Sequence, residues 1–565
     1  NLENGIPVFK LRSSTEDTVE VKEIREGNFY ISTIEKDGKS KLVKPIVDPD
    51  IVFGYNTSYI YPSMFANLSL EDMLNKEQIR TNKVPCAFSP IKVSIESNNS
   101  VKIYTVVGHA PDISLLWNYK DSFSNREYLM RKFQENLELI DIITNDIDTH
   151  TSSKLFNEYS KQTYLDNILR GGYPLVFDNG KKVYHIYSRK HGDLERDYNY
   201  FVLLPEYYSS GNANYRDVNQ NRRSDVFFNP SVERYNVKFF LNLIQADGYN
   251  PLVINGVKYR LKDVDEMSLS DLIKSIDKAG KLVEFFEKNV FTPGTLLTFI
   301  EREGIELNVS EEEFLARIIS KASQEIDAVH GEGFWTDHWT YNLDLVESFL
   351  EVYPDKEEEF LFDDKEYTYY DNYEVVLPRD KRFVLIDSVT GKVRQLYSLV
   401  EDPEKRKVIE LRNEYKHVMR DRDGNVFKTT LISKLINLAV IKFATTDPAG
   451  VGIEMEAGKP GWYDALNGLP GLFGSSVADS FEVLRLLDFI TEKLSKYDNK
   501  AVELPEEVVE LIEKEFELVS AYENSKEENK TRDLVYWNSI SDLREAYREK
   551  TKFGFSGLQV TLNAK

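Results

Sequence analysis

Cysteine is almost missing from this chain. Cys86 stands alone among 565 residues, which excludes an internal disulfide and points to a reducing compartment. No helix start or cationic neighbour marks it for reactivity, so it reads as a core thiol, not a nucleophile. Positive charge is also short: 71 Lys and Arg against 94 Asp and Glu leave a net charge of −23. Such a surface repels phosphate backbones, so a nucleic-acid partner is excluded. No apolar run approaches the ~20 residues that span a bilayer, so no membrane association is expected. Asn1-Leu-Glu-Asn-Gly5 has neither a basic nor an apolar region and no methionine. A signal peptide is therefore not expected, a cytoplasmic location is, and the chain is expected to be a processed product or a fragment. No nucleophile elbow, Walker loop or dinucleotide fingerprint is found.

What is present is the composition of a globular protein, 41% hydrophobic and 29% charged. Its 33 Tyr and 32 Phe fit a large aromatic core and also a carbohydrate cleft. Residues 1–115 read as a β-rich, sandwich-like region. Asn28-Phe-Tyr-Ile-Ser-Thr-Ile, Lys92-Val-Ser-Ile and Val101-Lys-Ile-Tyr-Thr-Val-Val are strand-like and separated by turn residues. Residues 116–170 form a helical linker in which Leu129, Phe133, Leu137, Ile140 and Ile143 share one face of a helix over 126–148. Asn179-Gly180 predicts a hairpin with a type I′ turn. From 171 to 565 helical periods dominate, over 232–246, 268–289, 311–329, 340–353, 404–421, 428–445, 477–497, 504–522 and 532–549. Helices in series with long polar loops between them predict a mainly α fold, a toroid of (α/α) type.

Four loops carry far more polar and aromatic residues than a connector needs. In Ser188-Arg-Lys-His-Gly-Asp-Leu-Glu-Arg-Asp-Tyr198, Arg189, Lys190 and His191 are candidate anion ligands; read plainly, the stretch is a surface ion-pair network. In 211–225, Arg216 and Asp217 form a hydroxyl-binding array followed by amides, or a helix start capped by Asn214. In 331–341, Trp335, Asp337, His338 and Trp339 suggest a platform with polar edges, or two core tryptophans at a helix start. His338 has no second His or Cys at ligand spacing, so no metal is expected, and nothing in the chain implies an organic cofactor.

The fourth loop runs Gly458-Lys-Pro-Gly-Trp-Tyr-Asp-Ala-Leu-Asn-Gly-Leu-Pro-Gly-Leu-Phe-Gly474. Five glycines and two prolines in seventeen residues exclude a helix interior. Trp462, Tyr463, Asp464 and Asn467 suit a flat polyhydroxylated ligand, with Glu454 and Glu456 just upstream. Glycosidic bonds are cleaved by carboxyl groups, and an aromatic-walled acid such as Asp464 can stay protonated near neutrality. A hydrolase needs a second carboxylate, for which Asp337, Glu454 and Glu456 are candidates; a phosphorylase does not.

Gly461-Trp-Tyr-Asp-Ala-Leu-Asn-Gly468 resembles the Asp-Trp-Asn-Asp-Gly-Met-Asn loop of cellobiose phosphorylase and its family-94 relatives. Asp464 matches the family's general acid and Trp462 the tryptophan beside the sugar; Tyr463 departs from the family's Asn. Tyr215-Arg-Asp-Val-Asn-Gln-Asn221 resembles the family's Phe-Arg-Asp-x-x-Gln-Asp, whose Arg and Asp residues hold the sugar. Arg216 and Asp217 match, Asn221 departs, and Asp225 is offered in its place. The resemblance covers roughly residues 120–560. It implies an (α/α)6 barrel over 171–565, incomplete at its C-terminal end, in a fragment of a longer chain. It implies inverting phosphorolysis of a β-glucosidic bond, with inorganic phosphate as co-substrate and a homodimer as the candidate assembly. Arg222 joins Arg189, Lys190 and His191 as a candidate phosphate ligand. The rivals are an (α/α)6 hydrolase using water, and a carbohydrate-binding or scaffold fragment without catalysis.

Overall fold

The computed structural model describes residues 2–3, 5–10, 26–36, 38–81, 83–84, 86–110, 112–186, 206–331, 333–459 and 474–564. Its contacts divide into two units, Asn1–Asp148 and Thr149–Lys565. The division falls inside the segment read from sequence as a linker.

In the first unit, strand Gly27–Lys36 is the centre of a five-stranded antiparallel sheet. It pairs with Ile6–Lys10, Lys39–Leu42 and Lys102–Ala110. Alternation sends Phe29 and Ile31 inward to a core with Ile6, Val8, Ala110, Ile113 and Leu116. The strand expected at Lys92 does not form; residues 91–96 have no regular structure. Helix Arg126–Thr144 starts at Asn125, whose side chain accepts the Tyr128 N–H. Of the predicted stripe only Ile143 is buried, while Phe133 and Leu137 are exposed. Cys86 donates weakly to the Ile46 carbonyl, and burial, then Asp48, push its thiol up to about 11, as suits an inert thiol.

The second unit is mainly helical, and its largest apolar core runs from Val183 to Val509. The predicted hairpin forms from Tyr173–Phe177 and Lys182–Ile186. Its connection is longer than a two-residue turn: Asp178, Asn179 and Gly180 all have positive φ. At Gly180 a Cβ would come within 2.7 Å of the Ser231 carbonyl, so the close approach requires glycine. The helix expected over 311–329 stops at Lys321. Ser323–Val329 instead pairs with Val253–Arg260, because a free sheet edge there outweighs helical periodicity. Helices Pro293–Arg302 and Tyr215–Arg222 were not evident from periodicity. Among the described residues no helix is long and apolar enough to cross a membrane.

Candidate functional site

Helix Tyr215–Arg222 begins at Asn214, whose side chain accepts the Arg216 N–H at 3.1 Å. That cap places Arg216 in the first turn. Tyr215, on the buried side, donates to the Phe240 carbonyl and to Asn342. Asn342 opens helix Asn342–Val352 and also accepts from Asn219 at 2.7 Å, so the two helix starts are tied together. The turn before Asn342 carries Asp337, and Arg216 Nη1 donates to Asp337 Oδ2 at 2.7 Å. Arg216 also lies 3.4 Å from Asp217.

The pair opens on a cavity of about 430 Å³ whose lining includes Arg223, Asp344, Asp479 and Arg485. Arg223 and Arg485 both bind Asp344, at 2.5 and 2.8 Å. The cavity thus combines guanidinium forks and carboxylates, a donor and acceptor set suited to hydroxyls.

Short strand pairs hold the two ends of the fourth loop. Phe334–Trp335 runs parallel to Gly458–Lys459. Ile453–Glu454 runs antiparallel to Ser475–Ser476. At Gly474 a Cβ would come within 2.6 Å of Met455 Sδ, so a larger residue there would have to displace that side chain. Ser476 then caps helix Val477–Lys496, its hydroxyl accepting the Asp479 N–H at 3.4 Å.

Asp479 is 1% exposed, and among the described residues its carboxylate oxygens have no hydrogen-bond partner of good geometry, with only the Ser476 hydroxyl near. Burial, then the charge of Asp337, pushes it up to about 7, against the pull of Ser476 and Lys442. Lys442, near the end of helix Leu431–Phe443, is buried too. Its ammonium lies 4.6 Å from the centre of the Tyr249 ring and 5.7 Å from that of Trp339. Burial lowers it to about 8, with Asp479 its strongest opposing charge.

Trp335 and Trp339 are each 3% exposed, and neither lines the cavity. Their burial is that of core tryptophans at a helix start, the second of the two readings of this loop. His338 stacks between Trp335 and Tyr215, with ring centres 5.8 and 6.4 Å away. Burial pushes it down to about 4, so it is neutral near pH 7. Among the described residues no three His, Cys, Asp or Glu side chains converge as metal ligands.

Glu456 is a buried ionic hub. It accepts from Arg382 at 3.0 Å, from Arg548 at 3.1 Å and from the Tyr249 hydroxyl at 3.1 Å, and lies 3.2 Å from Arg544. Burial alone would raise its carboxyl, but Arg544, Arg548 and Arg382 hold it well below the usual range. Glu454 accepts from Trp537 at 2.6 Å and from Arg544 at 3.2 Å. Burial raises it, against the pull of Arg544. These partners leave the two glutamates anchoring the chain, where sugar contact was expected.

Asp225 and Arg222 also fall away from the cavity. Asp225 accepts from Asn236 at 2.9 Å and lies 3.0 Å from His185. Arg222 donates to the Gly171 carbonyl at 2.7 Å and is buried over Phe239. Asp464, Trp462, Tyr463, Asn467, Arg189, Lys190 and His191 lie outside the described residues. Asp479 and Lys442 were missed in the sequence. Asp479 had a signal, Ser476-Val-Ala-Asp479, which has the spacing of a capping box ahead of an apolar helix. Lys442 had a weaker one, a cation inside the apolar run 435–443.

No family model and no curated protein matches the chain.

Proposed function

We propose that this chain is an inverting glycoside phosphorylase, acting on a β-linked di- or oligosaccharide at the Arg216–Asp337 cavity. The observation that carries the reading is the 2.7 Å Arg216–Asp337 pair lining a cavity rich in guanidinium and carboxylate groups. Residues from two separate polar loops, 211–225 and 331–341, meet there, and Arg216 and Asp337 are the kinds of group that hold sugar hydroxyls. The (α/α)6 toroid, the cytoplasmic setting and the homodimer belong to the same proposal, on the motif resemblance and the lone thiol.

In the reaction, a phosphate oxygen forms a bond to the anomeric carbon as the glycosidic C–O bond breaks. Asp464 gives its proton to the departing oxygen. The products are an α-sugar 1-phosphate and an acceptor one unit shorter. Phosphorolysis is preferred to hydrolysis on the motif resemblance: Glu454 is engaged by Arg544 and Glu456 by three arginines, which leaves Asp337 and Asp479 at the cavity as the carboxylates a hydrolase would use. A base must present a free lone pair to water.

A screen of β-linked disaccharides, reading sugar 1-phosphate, tests this. Cleavage is expected only with phosphate, and Asp464→Asn should lower it by several orders of magnitude. Equal cleavage in phosphate-free buffer would transfer the site to a hydrolase. Sugar binding without turnover, unchanged in the variant, would leave a binding protein.

A further inference from the structure

We propose that Asp479 is a positioning residue of this cavity, acting through Asp337 and Arg216 by setting how many negative charges the site holds. The inference rests on the reading of the cavity as a sugar and phosphate site.

Its basis is geometric. Asp479 lines the same cavity as Arg216 and Asp337. It is buried, and among the described residues only the Ser476 hydroxyl is near enough to favour its anion as a donor, without good hydrogen-bond geometry, a costly arrangement for a residue with only a structural task. As the third residue of its helix it needs only its N–H to complete the Ser476 cap. The Ser476 hydroxyl is the one capping group near the carboxyl, and it does not offset the burial of that group.

The charges around it decide its form. Asp337 faces it from the turn before helix Asn342–Val352, and Glu482 follows it on its own helix; both favour the neutral acid. Lys442, on helix Leu431–Phe443, favours the anion. The remaining charged groups of the cavity are committed: Arg216 to Asp337, and Arg223 and Arg485 to Asp344. His338 stays neutral down to about 4, so it does not titrate near neutrality. Burial holds Asp479 at about 7. Below that pH, Asp337 faces Arg216 as the single anion of the pair. Above it, Asp479 gives its proton to solvent and a second anion stands behind Asp337. An anionic ligand is then repelled, and Asp337 holds the Arg216 fork against a second negative charge.

The test uses the full chain and its Asp479→Asn variant, which removes the charge and keeps the shape. Sulfate serves as the phosphate probe because it does not titrate between pH 6 and 8.5; cellobiose serves as the neutral probe. Wild-type affinity for sulfate should fall on the order of tenfold across that range, the scale of one unit charge several ångströms away. In Asp479→Asn it should stay near its pH 6 value. Thermal unfolding, followed in parallel, should show the same loss of pH dependence. If Asp479→Asn folds poorly, Asp479→Ser supplies the same charge removal. Identical pH profiles for ligand binding in wild type and variant would overturn the proposal, even if the stability profiles differ. Cellobiose binding that depends on pH through Asp479, with no sulfate or phosphate binding, would keep the proposal and sink phosphorolysis.

Discussion

Replacing Asp479 by asparagine separates two effects that the wild-type side chain combines, shape and charge. The folded carboxyl titrates at about 7, against about 3.9 in an unfolded chain. Between those values the folded state binds more protons than the unfolded state. Its stability is therefore lost as pH rises from about 4 to 7, by on the order of 4 kcal/mol in total, and the loss persists above 7. The unfolding temperature of Asp479→Asn should exceed that of wild type by a margin that grows over this window. Parallel melting curves at pH 5 and pH 8 would refute the assignment. His338 and His185 work in the opposite direction, since burial lowers both to about 4. Their contribution is complete above about 6.5 and is lost as pH falls toward 4. Arg216→Ala leaves Asp337 buried without its cation. Loss of one member of such a pair costs about 2–5 kcal/mol in binding, so sugar affinity should drop at least tenfold in titration calorimetry. Arg216 and Asp337 were legible in the sequence because both sit in polar loops. Asp479 was legible only as a helix-start residue, because its protonation depends on burial and on Asp337, more than a hundred positions away in the chain.

At the scale of elements, helix Asn529–Thr551 is tied to the strand pair at Ile453–Glu454 by charge. Arg544 and Arg548 reach Glu456, and Trp537 reaches Glu454. Glu456→Gln would leave Arg382, Arg544 and Arg548 around a neutral amide in a buried setting. A destabilisation of about 3–5 kcal/mol is expected, read as a lower denaturant midpoint. Trp537→Phe removes a single hydrogen bond to a charged group and should cost about 1.5–3 kcal/mol. A Glu456→Gln midpoint equal to wild type would mean that the arginines find other partners. Helix existence was legible from apolar spacing at 477–497 and 504–522, where helices Val477–Lys496 and Glu506–Asn524 form. Helix ends were less so. The pattern over 404–421 gives a helix only for Pro403–Glu410, and Ser323–Val329 becomes a strand. In both places long-range pairing overrides local preference, which spans only about 1 kcal/mol per residue.

For the whole molecule, the contact division at Asp148 and Thr149 makes a separate expectation. Each unit holds its own apolar core, one around Phe29 and Ile31 and one running from Val183 to Val509. Expressed alone, Thr149–Lys565 should unfold in one cooperative transition and keep the Arg216–Asp337 cavity. A non-cooperative melt would show that the second unit needs the first. The composition shift from strands to helices was visible near residue 115, but the division falls later because helices Leu116–Phe123 and Arg126–Thr144 belong with the sheet.

Sequence by itself determined the mainly helical character of the second unit, the hairpin at Asn179-Gly180, the inert thiol and the polar loops that hold Arg216 and Asp337. Those are local properties, written in periodicity, turn chemistry and residue type. The tertiary structure alone decided which carboxylates stay with the cavity and which are taken by arginines. Glu454 and Glu456 differ little in sequence context from Asp337, yet only Asp337 lines the cavity. The physical reason is that a carboxyl group's charge and access depend on burial and on the cations beside it. Those neighbours arrive from distant helices and cannot be read from spacing along the chain.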